Sequence, residues 1–259
     1  MTAVFAFTAL LSLFWTPHDP AFVDAAARFT PPSSAHWLGA DRMGRDLLSR
    51  LMAGAWATLL VGGLAVLSAS LIGVPLGVWA GMRRGFLSDI VLRASDILFA
   101  LPALLLAILL VAVQGASIAT ATAAIALATL PVFVRMSYSA TLAVIAQDYI
   151  DAARLGGAGS LAIAWRHVLP NIAPNLGVQA SASFSTAILA EAGLSYLGLA
   201  APPTTPTWGR MMRDGQTDLF VNPWPAIVPG LAITVAVLGV NLMGDGLRDI
   251  LDPRLRELR

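Results

Sequence analysis

The feature that most constrains this chain is a set of six apolar stretches, at about residues 2–16, 54–80, 90–113, 117–140, 169–199 and 224–244. A helix needs about 20 apolar residues to cross the hydrocarbon core of a bilayer, which is about 30 Å thick. Lipid offers no hydrogen-bond partners to an open backbone, and none of the stretches alternates in the manner of a barrel strand. The sequence therefore predicts an all-α, polytopic membrane protein with six transmembrane helices.

The composition supports this class and excludes others. Hydrophobic residues make up 57% of the chain and charged residues 12%, against about 25% charged residues in a soluble domain. There is no cysteine, which excludes disulfides and thiolate metal sites. All sixteen basic residues are arginine, and a P-loop requires a lysine, so the chain is not its own P-loop ATPase. A net charge of +1 gives no indication of nucleic-acid binding.

The distribution of arginine predicts the orientation, because cytoplasmic loops carry an excess of positive charge. With a cytoplasmic N-terminus, ten arginines fall on the cytoplasmic side and six on the outer side. The outer six are Arg28, Arg42, Arg45, Arg50, Arg210 and Arg213. We therefore expect both termini on the cytoplasmic side of a multi-pass protein.

Three regions follow from this arrangement. Residues 1–53 are predicted to form an N-terminal transmembrane helix and an extracytoplasmic connector. The start of this region lacks the basic segment and cleavage site of a signal peptide, so an uncleaved helix is expected. Residues 54–247 are predicted to form a five-helix core with a loop at 147–168, and residues 248–259 a cytoplasmic tail.

The loop at 147–168 is polar and broken by glycines, unlike the stretches beside it. The spacing predicts two short helices. The apolar face of the first is formed by Tyr149, Ala152, Ala153 and Gly156. The glycines at 156 and 157 are expected to end it. A helix resting on lipid is one interpretation, but Asp148 and Asp151 are poor partners for an anionic leaflet, so a protein partner is favoured.

The same loop resembles the EAA loop of ABC-importer permeases, whose pattern is approximately E-A-A, then a glycine, then H-x-L-P. The matching positions are Asp151, Ala152, Ala153, Gly157, His167, Leu169 and Pro170. Asp151 replaces the usual glutamate, which keeps the charge and shortens the reach.

Further blocks resemble one group of these permeases, the peptide and nickel importers that carry a G-R-D segment. They are "HWLGADRMGRDLLSRLMAGAWATLLVG" (36–62), "ILAEAGLSYLGL" (188–199), "PPTTPTWGRMMRDG" (202–215) and "GDGLRDILDPRLR" (244–256). The blocks occur in the order found in that group and cover most of residues 36–256. The resemblance therefore implies a permease with the fold of a type I ABC importer.

The resemblance also implies a mechanism, in which the loop is a coupling helix that docks on a separate ATP-binding subunit. Asp151 would be the charged contact, Ala152 and Ala153 the closely packed face, and Gly157 the turn. His167 and Pro170, with Leu169 between them, would fix the exit into the fifth span. The chain itself would need no cofactor, since ATP and Mg²⁺ would be bound by the ATPase.

The implied partners are the ATP-binding subunits, a second, paralogous permease, an extracytoplasmic solute-binding protein and the lipid of a bacterial inner membrane. The cargo stays open among dipeptides, oligopeptides, nickel and glutathione. A secondary transporter or channel not driven by ATP is the alternative, but it would predict repeats and paired intramembrane charges, which the sequence does not show.

Several single residues carry weaker expectations. Glu191 lies inside an apolar stretch, where an ionisable group faces protein or water. It is expected either to line the pathway or a gate, or to form hydrogen bonds at a helix interface. Trp208 and Trp224 are expected to be interfacial anchors. His18, His36 and His167 are far apart, without the spacing of a metal site.

Overall fold

The computed structural model describes residues 1–83, 85–202 and 204–251. Its helices are α1 (Thr2–Leu11), α2 (Leu47–Met82), α3 (Phe86–Ala100), α4 (Ala103–Gln114), α5 (Ile118–Ile145), α6 (Asp148–Leu155), α7 (Ser160–Ile163), α8 (Leu169–Leu197), α9 (Trp208–Gln216) and α10 (Trp224–Leu251). A short 3₁₀ helix covers Ala25–Ala27 and a π-helical turn covers Ala164–Val168. No strand occurs within the described ranges, where Ala40 and Asp46 form an isolated bridge, so the all-α prediction is confirmed.

The predicted spans correspond to helices that differ in length and polarity. Within the described ranges, α2, α5 and α10 are long and apolar enough to cross a membrane, and the pair α3 and α4 qualifies if it counts as one bent span. Helix α8 has 29 residues but carries Asn171, Asn175 and Gln179 in its first half. Helix α1 has only 10 residues. The count of six spans therefore stays a prediction.

The stretch 90–113 is not the single helix that its hydropathy predicts. It divides into α3 and α4, which meet at an angle of 91°. Leu101 is extended, with φ −85° and ψ 127°, because the ring of a following proline, here Pro102, disfavours the helical conformation.

The described chain forms two compact units. The first consists of Met1–Leu64, Ala103–Ile125 and Phe184–Val240. Its core packs side chains of α1, α2, α8, α9 and α10, among them Phe5, Leu47, Ile188, Trp208 and Val240. A tilted ring contact at 5.5 Å joins Phe5 to Trp208, so α1 is held to α9 despite its short length.

The second unit consists of Ala65–Pro102, Ala126–Ser183 and Asn241–Arg259. Within it, α2 lies very close to α5, because three glycines of α2 face the partner helix. A Cβ placed on Gly73 or Gly81 would lie 2.8 Å from side-chain carbons of Phe133 or Thr141, respectively. Gly77 faces Val134 and Ser137 in the same way. Small residues allow this approach, as expected for helices packed in lipid.

These units do not test the predicted division at residues 53 and 247. The last residues of the predicted cytoplasmic tail, 252–259, lie outside the described residues. Residues 248–251 continue α10.

Candidate functional site

The predicted loop contains a regular first helix, α6, which ends as the glycines predict. Gly156 has φ −72° and ψ 2°, and Gly157 has φ +85°, a left-handed conformation that glycine adopts without steric cost. Three backbone hydrogen bonds close the end of the helix, in which the amides of Gly156, Gly157 and Ala158 donate to the carbonyls of Ala152, Arg154 and Ala153, respectively. The turn at Gly157 is therefore set by its backbone conformation.

The second arm differs from the prediction of a separate short helix. Helix α7 has four residues and continues through the π-helical turn at 164–168 into α8 without a break. His167 lies in the π-helical turn, and Leu169 and Pro170 open α8. Because the helix is continuous here, Pro170 lies inside it and not in a free first turn, and it has no amide to donate to the preceding turn. The arm is thus an extension of α8.

The anchored side of the loop is formed by large aliphatic residues. Ile150, Ile163 and Val168 are buried, and they pack with Val78 of α2 and Ile172 of α8. Leu169 packs against the same group. These residues hold α6 to the ends of α2 and α8.

The opposite side of α6 is open. Tyr149 and Leu155 are exposed large side chains, and Ala152 and Gly156 are exposed beside them, while Ala153 is half-buried. Three of the four residues predicted to form the apolar face are therefore accessible. An apolar surface of this kind is available to a partner.

The charges of α6 follow the direction of its dipole. Asp148 and Asp151 lie in the first turn and Arg154 in the last, which is the favourable arrangement at both ends. Arg154 donates to Asp151 at 3.0 Å, and both side chains are largely exposed. An exposed pair of this kind is weak, about 0–1 kcal/mol, so either member is free to exchange partners.

A polar contact that the sequence analysis missed ties α6 to the start of α8. The Asn171 amide donates to the Tyr149 hydroxyl at 3.2 Å and to the His167 carbonyl at 2.7 Å. The rings of Tyr149 and His167 are 5.9 Å apart. Asn171 directly follows the matched Pro170, and this position is the only sequence signal that points to it. These contacts bring His167, one of the predicted site residues, next to α6.

Glu191 belongs to the first unit, whereas the loop belongs to the second. Its side chain is 1% exposed. Thr58 of α2 donates to Glu191 Oε2 at 3.0 Å, and Ser195 donates to Oε1. Both carboxylate oxygens therefore have partners from two helices. A role in the pathway stays a prediction.

A charged network fixes the connector ahead of α2. Asp41 accepts from Arg45 Nε at 2.7 Å and from Arg50 at 2.6 Å, and Asp214 of α9 lies 3.3 Å from Arg45 and 3.5 Å from Arg50. Asp41 and Arg50 are buried. Helix α2 begins at Leu47, seven residues before the predicted span, where Asp46 accepts from the Ser49 amide as an N-cap residue does.

Asp46 brings together two histidines that are far apart in the sequence. Its Oδ1 lies 3.0 Å from His36 Nδ1 and 3.8 Å from His18 Nδ1. Burial disfavours its charged form, but hydrogen bonds from Ser49 and His36 outweigh that cost and lower the pKa of the Asp46 carboxyl below its ordinary value. The spacing of the histidines in the sequence, which gave no indication of a metal site, does not predict this grouping.

The two tryptophans have different environments. Trp208 is buried in the core of the first unit and donates to the Leu51 carbonyl at 2.9 Å, so its predicted role as an interfacial anchor is wrong. Trp224 is 37% exposed and donates to the Leu38 carbonyl at 2.9 Å, as an amphipathic anchor does.

Comparison with known proteins places this chain among transport subunits. The family described as "Binding-protein-dependent transport system inner membrane component" matches residues 73–257. The dipeptide transport system permease protein DppC of Escherichia coli K12 is 44% identical over 257 residues, covering 97% of this chain and 86% of the relative.

Two further relatives are similar to nearly the same extent. The di/tripeptide transport system permease protein DppC of Pseudomonas aeruginosa is 42% identical, covering 96% of this chain and 84% of the relative. The glutathione transport system permease protein GsiD of Pectobacterium atrosepticum is 43% identical, covering 87% and 75%.

A solved structure has a similar fold. A chain from the inward-facing conformations of the MetNI methionine ABC transporter superposes with a TM-score of 0.67 at 19% identity, covering 78% of this chain and 96% of that one. At this identity the likeness concerns the fold alone, and it agrees with the predicted importer-permease architecture.

Proposed function

The chain belongs to the family of inner membrane components of binding-protein-dependent transport systems, and on that premise we propose that it passes short peptides into the cell, driven by a separate ATPase. As a member of this family it is a permease subunit and not an enzyme. The observation that carries the coupling part of the proposal is α6, which is anchored on one side and exposed on the other.

The names of the relatives bear on the cargo. Those described above are permeases for dipeptides, for di- and tripeptides and for glutathione. Among the cargoes that the sequence left open, peptides or a peptide derivative such as glutathione are therefore favoured over nickel.

The exposed face of α6 is the proposed docking surface for an ATP-binding subunit, with ATP and Mg²⁺ bound by that subunit. Ala152 allows close approach, and Tyr149 and Leu155 offer apolar area. Asp151 is the proposed charged contact, since its exposed pair with Arg154 is replaced at little cost by a cation of the partner.

Motion of α6 would be transmitted through its anchored side. Ile150 and Val168 are fully buried against α2 and α8, and close-packed side chains transmit displacement because they leave no room to yield. The hydrogen bonds of Asn171 add a polar link to the first turn of α8. A change of the ATPase interface would then shift these helices together as a rigid-body switch.

The remaining partners follow from the same proposal. A second, paralogous permease would complete the pathway, and a solute-binding protein would dock on the outer segments 17–50 and 200–223. Both termini and α6 would face the cytoplasm. The family to which the chain belongs consists of components of binding-protein-dependent transport systems. It therefore gives no support to the alternative of a secondary transporter or channel.

Gly157 offers a sharp test of the coupling role. Its φ of +85° is strained for other residues, yet no atom lies within 4 Å of a Cβ placed there, so the cost arises from the backbone alone, about 1–3 kcal/mol. We expect Gly157→Asp to abolish uptake of a labelled dipeptide while the subunit remains in the membrane.

Gly159 provides the matched control. It also has open space around a Cβ, but its φ is −72° and it caps α7, where aspartate is favourable. Gly159→Asp is expected to transport normally, and Gly157→Asn to retain more activity than the β-branched variant Gly157→Val, because asparagine tolerates the left-handed region. Normal uptake by Gly157→Asp would refute the coupling assignment.

The partners are tested by gentle purification of the tagged chain from its own membrane. We expect an ATPase with a P-loop, a second permease and a solute-binding protein to be recovered with it. Recovery of the chain alone, under conditions that preserve other complexes, would favour an independent transporter.

A further inference from the structure

The connector before α2 folds two histidines onto one carboxylate. The His18 amide donates to Ser49 Oγ at 2.9 Å, and Thr16 Oγ1 donates to the His18 carbonyl at 2.8 Å. Around His36, its amide donates to Ser33 Oγ at 3.1 Å and the Ser33 amide donates to its carbonyl at 2.8 Å. Both histidine backbones are thus held in place next to Asp46.

The three side chains present a converging set of donor atoms. One ring nitrogen of each histidine and one oxygen of Asp46 all lie within 4.8 Å of one another. Two ligands bound at about 2.0–2.2 Å to one ion lie at most about 4.4 Å apart. The longest separation therefore has to shorten by about 0.4 Å at most for the three atoms to share one ion, and the His18 side chain is 41% exposed.

Asp46 is prepared as a ligand. Its Oδ2 accepts from the amide of Ser49 at 2.8 Å and from Ser49 Oγ at 2.7 Å, which leaves Oδ1 directed at the histidines. The side chain is 2% exposed. Metal-ligating carboxylates are held by outer hydrogen bonds in this manner.

From this geometry we propose that His18, His36 and Asp46 bind a divalent transition-metal ion of the Zn²⁺ or Ni²⁺ class, through one ring nitrogen of each histidine and Asp46 Oδ1. Imidazole and carboxylate together suit such borderline ions, whereas Mg²⁺ and Ca²⁺ prefer oxygen ligands alone. On binding, the ion replaces the hydrogen bond between His36 Nδ1 and Asp46 Oδ1, and the neutral imidazole then carries its proton on Nε2.

The ion would join three parts of the connector. His18 follows α1, His36 lies in the turn closed by Ser33, and Asp46 precedes α2. With three protein ligands a coordination position is left open, on the side where His18 is exposed. The site therefore fastens the connector and offers a position to a further ligand. It is independent of the proposed peptide cargo and of α6.

The test is metal binding by the purified chain, carried on a tag without histidine and stripped with a chelator. Titration with Ni²⁺ or Zn²⁺ alone is expected to give one ion per chain and to raise the apparent melting temperature. With Co²⁺, a visible absorption band in the range of nitrogen and oxygen ligands is expected. Absence of binding at millimolar metal would overturn the proposal.

Variants identify the ligands. His18→Gln removes a half-exposed ring, so the chain is expected to fold as before and to bind at least tenfold more weakly. His18→Gln with His36→Gln is expected to abolish binding. His167→Ala, which removes the third histidine of the chain, is the control and should bind as the wild type. Unchanged affinity of the double variant would show that the metal binds elsewhere.

Discussion

The contact between α2 and α5 gives a quantitative prediction for Gly77. A Cβ placed there would overlap the Val134 carbonyl and lie 2.7 Å from Ser137 Cβ, where ordinary contact begins at 3.4 Å. The helices would have to separate by at least about 0.7 Å, and gaps of 0.5–1 Å forfeit about a quarter to a half of each contact's dispersion energy.

The expected cost follows from two opposing effects. Overpacking costs about 1–3 kcal/mol, and replacing a helical glycine with alanine returns about 0.5–1 kcal/mol. Gly77→Ala is therefore expected to lower the free energy of unfolding by about 1–2 kcal/mol. Because Gly73 and Gly81 face α5 in the same way, the double variant Gly73→Ala with Gly77→Ala should lose more.

Gly63 is the matched control, since it lies in the same helix with no atom within 4 Å of a Cβ. Gly63→Ala is expected to be neutral or to stabilise by up to about 1 kcal/mol. Thermal unfolding of the purified variants in one detergent measures the difference. Equal melting temperatures for Gly63→Ala and Gly77→Ala would refute the reasoning that α5 closes on the glycines.

Three further substitutions test other contacts. Glu191→Leu is expected to destabilise the fold by about 2–4 kcal/mol, because two buried hydroxyls lose their acceptor. Glu191→Gln keeps one acceptor oxygen and should cost less, so equal melting temperatures for the two variants would contradict the expectation. Asp41→Asn leaves buried Arg50 poorly paired and should cost about 3 kcal/mol, against almost nothing for exposed Asp19→Asn. Gly209→Ala puts a methyl group where it overlaps the Ala192 carbonyl, and should make the protein in membranes less resistant to protease. Unchanged protease resistance would show that α9 is loosely packed.

The parts of the fold that depend on local pattern were predictable. The glycines at 156 and 157 end α6 where the sequence indicates, because the left-handed turn is a property of those residues. The long apolar runs became α2, α5 and α10, because lipid leaves the backbone no other choice. The EAA-like positions are divided among several elements: Asp151, Ala152 and Ala153 lie in α6, Gly157 in the turn after it, His167 in the π-helical turn, and Leu169 and Pro170 in α8.

The parts that depend on distant partners were not predictable. Arg50, in the first turn of α2, pairs in part with Asp214, 164 positions later. His18 and His36 lie near Asp46 because of the path that the connector takes, and hydropathy does not predict that path. Trp208 is buried by packing against α1 and the Leu51 carbonyl, although its polar neighbours suggest a membrane surface.

The π-helical turn at Ala164–Val168 has a consequence for chain length. Such a turn is a regular helix that has absorbed one additional residue. Because the additional residue is taken up within the turn, deleting one residue there would restore a regular α-helix and leave α6 close to its present orientation, whereas a deletion beside the turn would rotate Leu161 and α6 by about 100° about the axis of α8. The π-helical turn is therefore the place in this arm where the loss of one residue should be tolerated best, and a deletion on either side of it is expected to displace the exposed face of α6.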